Sequence, residues 1–327
     1  HKLGYRGIPN TLLNFGEGRF PVRAHAGADG AGAGGGLDGA GAGAIGYLVG
    51  KPHEGLRCMF HMMNEARIAV GLGATMLGYA GYETSLDYAK SRPQGRPIGP
   101  GGKDATLPQV PIIRHADVKR MLLAQKSYCE GALALELYCA RLVDEQHTGA
   151  LSASAEAALL LDVLTPVAKS WPSEWCVEAN SLAIQVLGGY GYTRDFPVEQ
   201  YWRDNRLNMI HEGTHGIQAL DLLGRKVVMH KGAGLAAIGR RVDATITRAR
   251  ALPVLAAHAD ALAEAHVHLV AATQAAWATG NPEEALARGL LAACTYFFHY
   301  ELPRIGAWLG VVETRDATCR TMAEEWF

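Results

Sequence analysis

Apolar positions recur at helical spacing through most of the chain. Between residues 54 and 91 they fall at Leu56, Phe60, Met63, Ile68, Leu72 and Leu77, then at Tyr79, Tyr82, Leu86 and Tyr88. Steps of three and four residues put such positions on one helix face. Met59, Met62 and Met63 read as core of the same helix. Glycines at 71, 73, 78 and 81 predict that other helices approach it closely. A second helix is expected over 114–146, with Val118, Met121, Leu122, Gln125, Tyr128, Cys129, Ala132, Leu135, Cys139 and Leu142 inward. A third is expected over 152–187, stopped by Gly188 and Gly189. Trp171-Pro172 near its middle predicts a kink or a break, because proline lacks the amide donor. Residues 217–230 read as a shorter helix with Leu220, Leu223 and Val227 inward. Gly232 and Gly234 then read as a linker to Ala-rich helices at 236–249, 253–279 and 282–310.

The N-terminal stretch has a different texture. Residues 1–17 alternate short apolar runs with Gly and Pro, which suits strand, turn, strand. Residues 24–44 are almost entirely Gly and Ala and cannot bury enough apolar area to offset ordering entropy, so a disordered surface insertion in a hairpin loop is expected. A phosphate-cradle reading of these glycines lacks the Lys-Ser/Thr that would follow them. Residues 45–52 return to a short strand, and 97–111, with Pro and Gly, form a loop. The chain opens at His1 inside what reads as a strand, so a fragment of a longer protein is expected.

Composition narrows the function classes. With 327 residues and 49% hydrophobic content the chain can bury a sizeable core. A net charge of −1 gives no electrostatic footprint for nucleic acid. No run reaches the roughly 18 apolar residues expected of a membrane span. Six cysteines without C-x-x-C spacing read as buried thiols in a reducing compartment, and a cytoplasmic location is expected.

The chemistry gathers in residues 184–218. Gly188, Gly189 and Gly191 follow an apolar run, and glycines let a backbone approach a ligand closely. Downstream stands one carboxylate, Glu212, followed by Gly213 and Thr214. The run His211-Glu212-Gly213-Thr214-His215 also spells H-E-x-x-H. Zinc hydrolysis would need both histidines on one face of a continuous helix, and Gly213 disfavours a helix there by about 1 kcal/mol relative to Ala. A longer metal motif would want glycine at 218 and histidine at 221, where Gln218 and Asp221 stand. No metal site is expected; His258, His266 and His268 do not form a ligand set.

Taken together, Q-V-L-G-G-Y-G-Y, then R-D, then I-x-E-G-T-x-x-I-Q resembles the C-terminal half of the acyl-CoA dehydrogenases. That resemblance implies a mainly α fold, with a C-terminal helical bundle over 53–230. The end of the middle β-domain would precede it at 1–52, and an extra helical domain would follow at 231–327. The extension is similar to that of longer bacterial members, the group including 3-methylmercaptopropionyl-CoA dehydrogenases, and would serve oligomer contact or support of a substrate tunnel. The resemblance further implies FAD as cofactor and an acyl-CoA substrate. Electron-transfer flavoprotein would be the acceptor, and the assembly a homodimer or homotetramer.

Residue by residue, the resemblance gives Glu212 the role of base, removing the α-proton of the thioester while a β-hydride passes to flavin. The residue before that Glu is often Tyr; here it is His211. Arg92, in Y-A-K-S-R-P-Q-G, would meet the flavin pyrophosphate and Gln94 would be a further cofactor contact, with Gly95 where Phe is common. Gln185, Gly188, Gly189, Thr214, His215 and Gly216 would complete the cofactor contacts. Arg67 and Gly213 would face the acyl-CoA, although Asn64 replaces the acid of the family's D-x-x-R. Some relatives carry the base just before that Arg; here the position is Ala66, and Glu65 lies roughly 100° round the helix. His115-Ala116 replaces a common H-Q whose Gln touches flavin. An acyl-CoA oxidase and a non-catalytic scaffold are the alternatives.

Overall fold

The computed structural model describes residues 1–13, 47–99, 102–278 and 317–327. The expected insertion at 24–44, the helix at 282–310 and Cys294 lie outside the described residues. The chain divides into two compact units, His1–Asn64 and Glu65–Phe327. In the first, residues 1–13 and 47–52 form turns and irregular backbone, not the expected strands. Tyr47, Leu48 and Val49 are 70–87% exposed. A lone strand leaves its amides and carbonyls unpaired, so apolar runs adopt that form only beside a partner. Met59 and Met62, expected in the core, are also exposed.

The second unit is a bundle organised on three long helices. Helix α1 is Gly55–Ser91, crossing from one unit into the other; α2 is Ala116–Thr148 and α3 is Leu151–Leu187. Between α1 and α2 the chain makes two-residue strands β1 (Ile98–Gly99) and β2 (Gly102–Lys103), paired antiparallel with Ile98 opposite Lys103. A bridge from Pro93 to Pro111 closes this loop. After α3 come α4 (Val198–Asn205), α5 (His215–Asp221), α6 (Ala233–Arg250) and α7 (Ala256–Ala278). Near the C-terminus, α8 (Thr318–Thr321) leads to Phe327, which packs against the core of α1, α2 and α3.

Small residues set the spacing of the three long helices. The inner stripe of α1 runs through Gly71, Ala74, Thr75, Gly78, Gly81, Tyr82, Ser85, Leu86 and Ala89, all buried. Leu72, expected inward, is 39% exposed. A Cβ on Gly71 would come within 2.2 Å of the Ala168 carbonyl and 2.3 Å of Glu136 Oε1. At Gly78 it would meet Cys176 Cβ at 2.8 Å and Cys129 Sγ at 3.1 Å. At Gly81 it would meet Asn180 Nδ2 at 2.5 Å. Backbone contact this close needs glycine.

The same contact meets α3 at Pro172; of the expected kink or break, the break does not occur, and α3 is one continuous helix through Pro166 and Pro172. An interior proline costs about 3 kcal/mol, partly through the orphaned carbonyl four residues earlier. The carbonyl that Pro172 leaves unbonded is Ala168's, the one lying against Gly71. Beside each proline a hydroxyl bonds back one turn: Thr165 Oγ1 to the Leu161 carbonyl at 2.6 Å, and Ser173 Oγ to the Lys169 carbonyl at 2.7 Å. Residues 151–192 are long and apolar enough to cross a membrane by length and composition, correcting the count of apolar runs. Packing between α1, α2, α4 and α6 accounts for that apolarity.

Gly232 and Gly234 are not a linker. Gly232 adopts φ 81° at the start of α6. Gly234 is buried in α6 itself, where a Cβ would come within 2.7 Å of Val163. Ala237 of α6 shares a core cluster with Leu160, Leu161 and Ala168 of α3. The helix expected over 217–230 is irregular: α5 passes into a π-helical turn, Leu222–Lys226, and Leu220 is exposed. Of the cysteines, Cys129, Cys139 and Cys176 are buried but Cys58 is exposed.

Gly71→Ala is expected to cost about 1–3 kcal/mol or more by overpacking. Gly73→Ala, two residues on and on the exposed face with nothing within 4 Å of its Cβ, should gain about 0.5–1 kcal/mol. Urea unfolding of the two variants checks the difference in sign.

Candidate functional site

Glu212 sits in a tight turn between α4 and α5. The chain leaves α4 through a 3-10 turn, Arg206–Met209, and Glu212 and Gly213 then both take positive φ, 53° and 95°. For a non-glycine residue such backbone costs about 1–3 kcal/mol and persists only where surroundings over-determine it. Here both carbonyls are held from below. Gln218 Nε2 donates to the Glu212 carbonyl at 2.9 Å and to the Gly213 carbonyl at 3.3 Å. Lys169 Nζ donates to the Gly213 carbonyl at 2.5 Å. A Cβ at 213 would come within 2.6 Å of Gln218 Nε2, so the second position needs glycine. Among the described residues, the Glu212 and Gly213 N–H groups donate to no backbone carbonyl or side chain. The Glu212 side chain is exposed.

The residue before the turn is fixed by a ladder of buried amides. Asn180 Nδ2 donates to the Leu77 carbonyl of α1 at 2.8 Å. Asn205 Nδ2 donates to Asn180 Oδ1 at 2.7 Å and to the Ala74 carbonyl at 3.0 Å. Asn208 Nδ2 donates to Asn205 Oδ1 at 2.9 Å, and His211 Nε2 lies 2.9 Å from Asn208 Oδ1. A fully satisfied buried network of this kind specifies one arrangement. Arg203 of α4 pairs with Glu199, one turn back, at 2.5 Å.

Cations surround the turn. Arg67 is buried and pairs with Asp221 of α5 at 2.7 Å, so its guanidinium ties α1 to α5. Burial works against the Asp221 carboxylate, but hydrogen bonds from Arg67 and Arg225 outweigh it and hold its pKa below the ordinary value. Lys169 is fully buried. Burial, then the nearby Arg67, lowers its pKa to about 8, with Glu212 pulling the other way. Burial also lowers the pKa of His211 and of His215, whose Nδ1 lies 2.5 Å from Ser170 Oγ. The left-handed turn separates His211 from α5, so the H-E-x-x-H letters do not place two imidazoles on one helix face.

The other expected residues line a separate cavity of about 780 Å³. Its walls include Arg92, Gln94, Gln185, Gly188 and Gly189. Gly188 ends α3 with φ 60°, and a Cβ on Gly189 would meet nothing within 4 Å, which leaves the backbone open to a ligand. Arg92 donates from Nη1 to the Pro93 carbonyl at 2.7 Å and from Nε to Tyr88 Oη at 3.3 Å. Tyr88 in turn meets Tyr190 and Phe196 edge-on, at 6.5 Å and 5.8 Å between ring centroids, joining the arginine wall to the glycine wall. His115 Nε2 lies 2.7 Å from the Gln94 carbonyl, and Gly95, with φ 71°, leaves room for that ring. A guanidinium beside open glycine backbone suits a phosphate-bearing nucleotide. Thr214, His215 and Gly216 do not line this cavity; they begin α5.

Sequence reasoning missed Lys169, Asp221 and the amides of Asn180, Asn205, Asn208 and Gln218. The available signal was a lone lysine in the apolar run T-P-V-A-K-S-W-P, where burial of a charge demands a partner.

Residues 103–227 match the family described as "Acyl-CoA dehydrogenase, C-terminal domain". The chain is 38% identical over 245 residues to the 3-methylmercaptopropionyl-CoA dehydrogenase of Ruegeria pomeroyi, covering 75% of this chain and 37% of that protein. It is 37% identical over 245 residues to the broad-specificity linear acyl-CoA dehydrogenase FadE5 of Mycobacterium tuberculosis, covering 74% and 36%. The chain thus spans a little over a third of these relatives' length. In fold it is similar to Caenorhabditis elegans ACDH-11, solved in complex with C11-CoA, with a TM-score of 0.57 and 23% identity over 75% of this chain and 38% of that one.

Asp221→Ala would strand the buried Arg67 cation and is expected to cost about 3–5 kcal/mol. Because the folded pKa of Asp221 is depressed, its contribution is present at neutral pH and lost as pH falls through the folded value. Urea unfolding at acid and neutral pH should therefore show the two proteins converging only in acid.

Proposed function

The chain belongs to the acyl-CoA dehydrogenase family through its C-terminal domain, and from that premise we propose that it forms the base-bearing part of a flavin-dependent acyl-CoA dehydrogenase. The observation that carries this reading is the Glu212–Gly213 turn. It combines an exposed carboxylate with backbone N–H groups that no described residue uses, on a frame held rigidly from below.

The α-proton of a thioester is only weakly acidic. Its removal requires a base held in line and donors aimed at the oxygen where charge develops. In this reading Glu212 takes the proton and its own N–H bonds the thioester oxygen. A bound acyl chain would exclude water from around the carboxylate. FAD, when bound, supplies the acceptor for the β-hydride. Arg92, the Gly188–Gly189 backbone and Gln185 fit its phosphate-bearing portion, given the open cavity they line. Arg67 acts in the reading as a strut to Asp221 that holds α5, and its reach to substrate comes second to that. Electron-transfer flavoprotein as acceptor, a homo-oligomer and a cytoplasmic location belong to the same proposal.

Glu212→Gln in the full native protein should retain bound flavin but lose anaerobic bleaching of its visible bands by butanoyl-CoA and octanoyl-CoA. Bleaching at the unmodified rate would overturn the assignment of the base.

A further inference from the structure

We propose that Lys169 is a positioning residue for the base: from inside α3 its ammonium draws the Gly213 carbonyl inward and fixes the turn on which Glu212 stands. The proposal rests on the reading of Glu212 as the base and names a residue that reading does not use.

Lys169 has no exposed surface, and among the described residues it forms no ion pair. Its acceptor there is the Gly213 carbonyl at 2.5 Å. Burying an ammonium against a single carbonyl is unfavourable, and an apolar side chain of similar volume would avoid that penalty. A bundle selected for packing alone would have no use for it. What the lysine provides is a charge-assisted hydrogen bond to a carbonyl in left-handed backbone. Gln218 holds the adjacent Glu212 carbonyl, so with both carbonyls turned inward the strained conformation is over-determined. Carbonyl and N–H of a peptide unit point in opposite directions. Fixing the Glu212 and Gly213 carbonyls therefore also fixes the N–H groups of the same peptide units, those of Gly213 and Thr214, and with them the direction of the Glu212 side chain.

The charges facing Lys169 are Arg67 on α1, His211 and Glu212 in the turn, and His215 on α5. The two histidines are held toward the neutral state, and Arg67 is committed to Asp221. Of these groups Lys169 is thus the one whose charge changes as pH rises through about 8; Glu136 of α2, against Gly71 and the Ala168 carbonyl, gains charge in the same range, so the limb is assigned to the lysine by its loss in Lys169→Met. Above that point the clamp loses its charge assistance, and turnover should fall on an alkaline limb. Stability should move the opposite way. The folded pKa lies below the unfolded one, so between about 8 and 10.5 the unfolded chain binds more protons and folding is increasingly favoured as pH rises.

The test compares the full native protein with Lys169→Met and Lys169→Arg. Anaerobic flavin bleaching by butanoyl-CoA and octanoyl-CoA is followed below and above pH 8, with thermal unfolding in parallel. For Lys169→Met the bleaching rate should fall about 100-fold, with half-saturation little changed, the alkaline limb gone and thermal stability equal or higher. Lys169→Arg should recover part of the rate and carry no limb, since its charge does not titrate. An unchanged rate and limb in Lys169→Met would overturn the proposal. If that variant does not fold, a limb retained in Lys169→Arg would do the same. If the unmodified protein bleaches with neither thioester, the functional reading fails and crystal structures decide the clamp. Glu212 and Gly213 leaving positive φ in Lys169→Met would uphold it, and an unchanged turn would overturn it.

Discussion

Two consecutive residues in left-handed backbone are the constraint on which this site depends. Glu212 would relax to ordinary φ if nothing prevented it, whereas Gly213 takes positive φ without penalty. Prevention comes from three helices at once. Lys169 reaches up from α3, Gln218 reaches back from α5, and the amide ladder from α1 pins His211. Each of these helices must therefore be held to within the tolerance of a hydrogen bond. That requirement passes the demand for precision from the turn to the bundle beneath it.

The bundle meets the demand by approach at backbone distance. On α1, Gly71, Gly78 and Gly81 let α3 and side chains of α2 come so near that any Cβ would collide. The unbonded carbonyl that Pro172 creates is tolerated where Gly71 leaves room for it. Glu136 enters the same contact from α2. It is buried, neither carboxyl oxygen has a hydrogen-bond partner among the described residues, and burial, then Cys176, raises its pKa to about 8. At neutral pH it is therefore largely protonated and brings little charge into the helix interface. Interfaces built on such small gaps resist sliding, because a shift of one residue replaces a glycine by a side chain.

Much of this was legible in the sequence, and the failures share a cause. Helices α1, α2 and α3 were readable from apolar spacing, and the end of α3 from Gly188. The inward face of α1 departs from the spacing of large apolar residues at Leu72, because the buried stripe consists mainly of small ones. Pro172 signalled a kink or a break, and α3 runs through it without a break. The strands expected near the N-terminus needed pairing partners that apolar alternation cannot supply. At the site, Glu212, Arg92 and the glycine cluster carried a recognisable order and spacing. Lys169, Asn205 and Asn208 did not, because a buried polar residue shows its purpose only through a partner distant in sequence. Lys169 and Gly213 are 44 residues apart, and Asn205 and Ala74 are 131 apart.

The amide ladder has one more effect, on the chemistry of its last member. Every rung points the same way. Two backbone carbonyls of α1 can only accept, so Asn180 and Asn205 must present their nitrogens to α1. Asn208 then presents its nitrogen to Asn205, which leaves its oxygen facing His211. An oxygen there demands a proton on Nε2. The imidazole beside the base, held neutral by burial, is therefore locked as a single tautomer with its lone pair on Nδ1. Its protonation pattern is written by the polarity of peptide groups on another helix, more than 130 residues earlier in the chain.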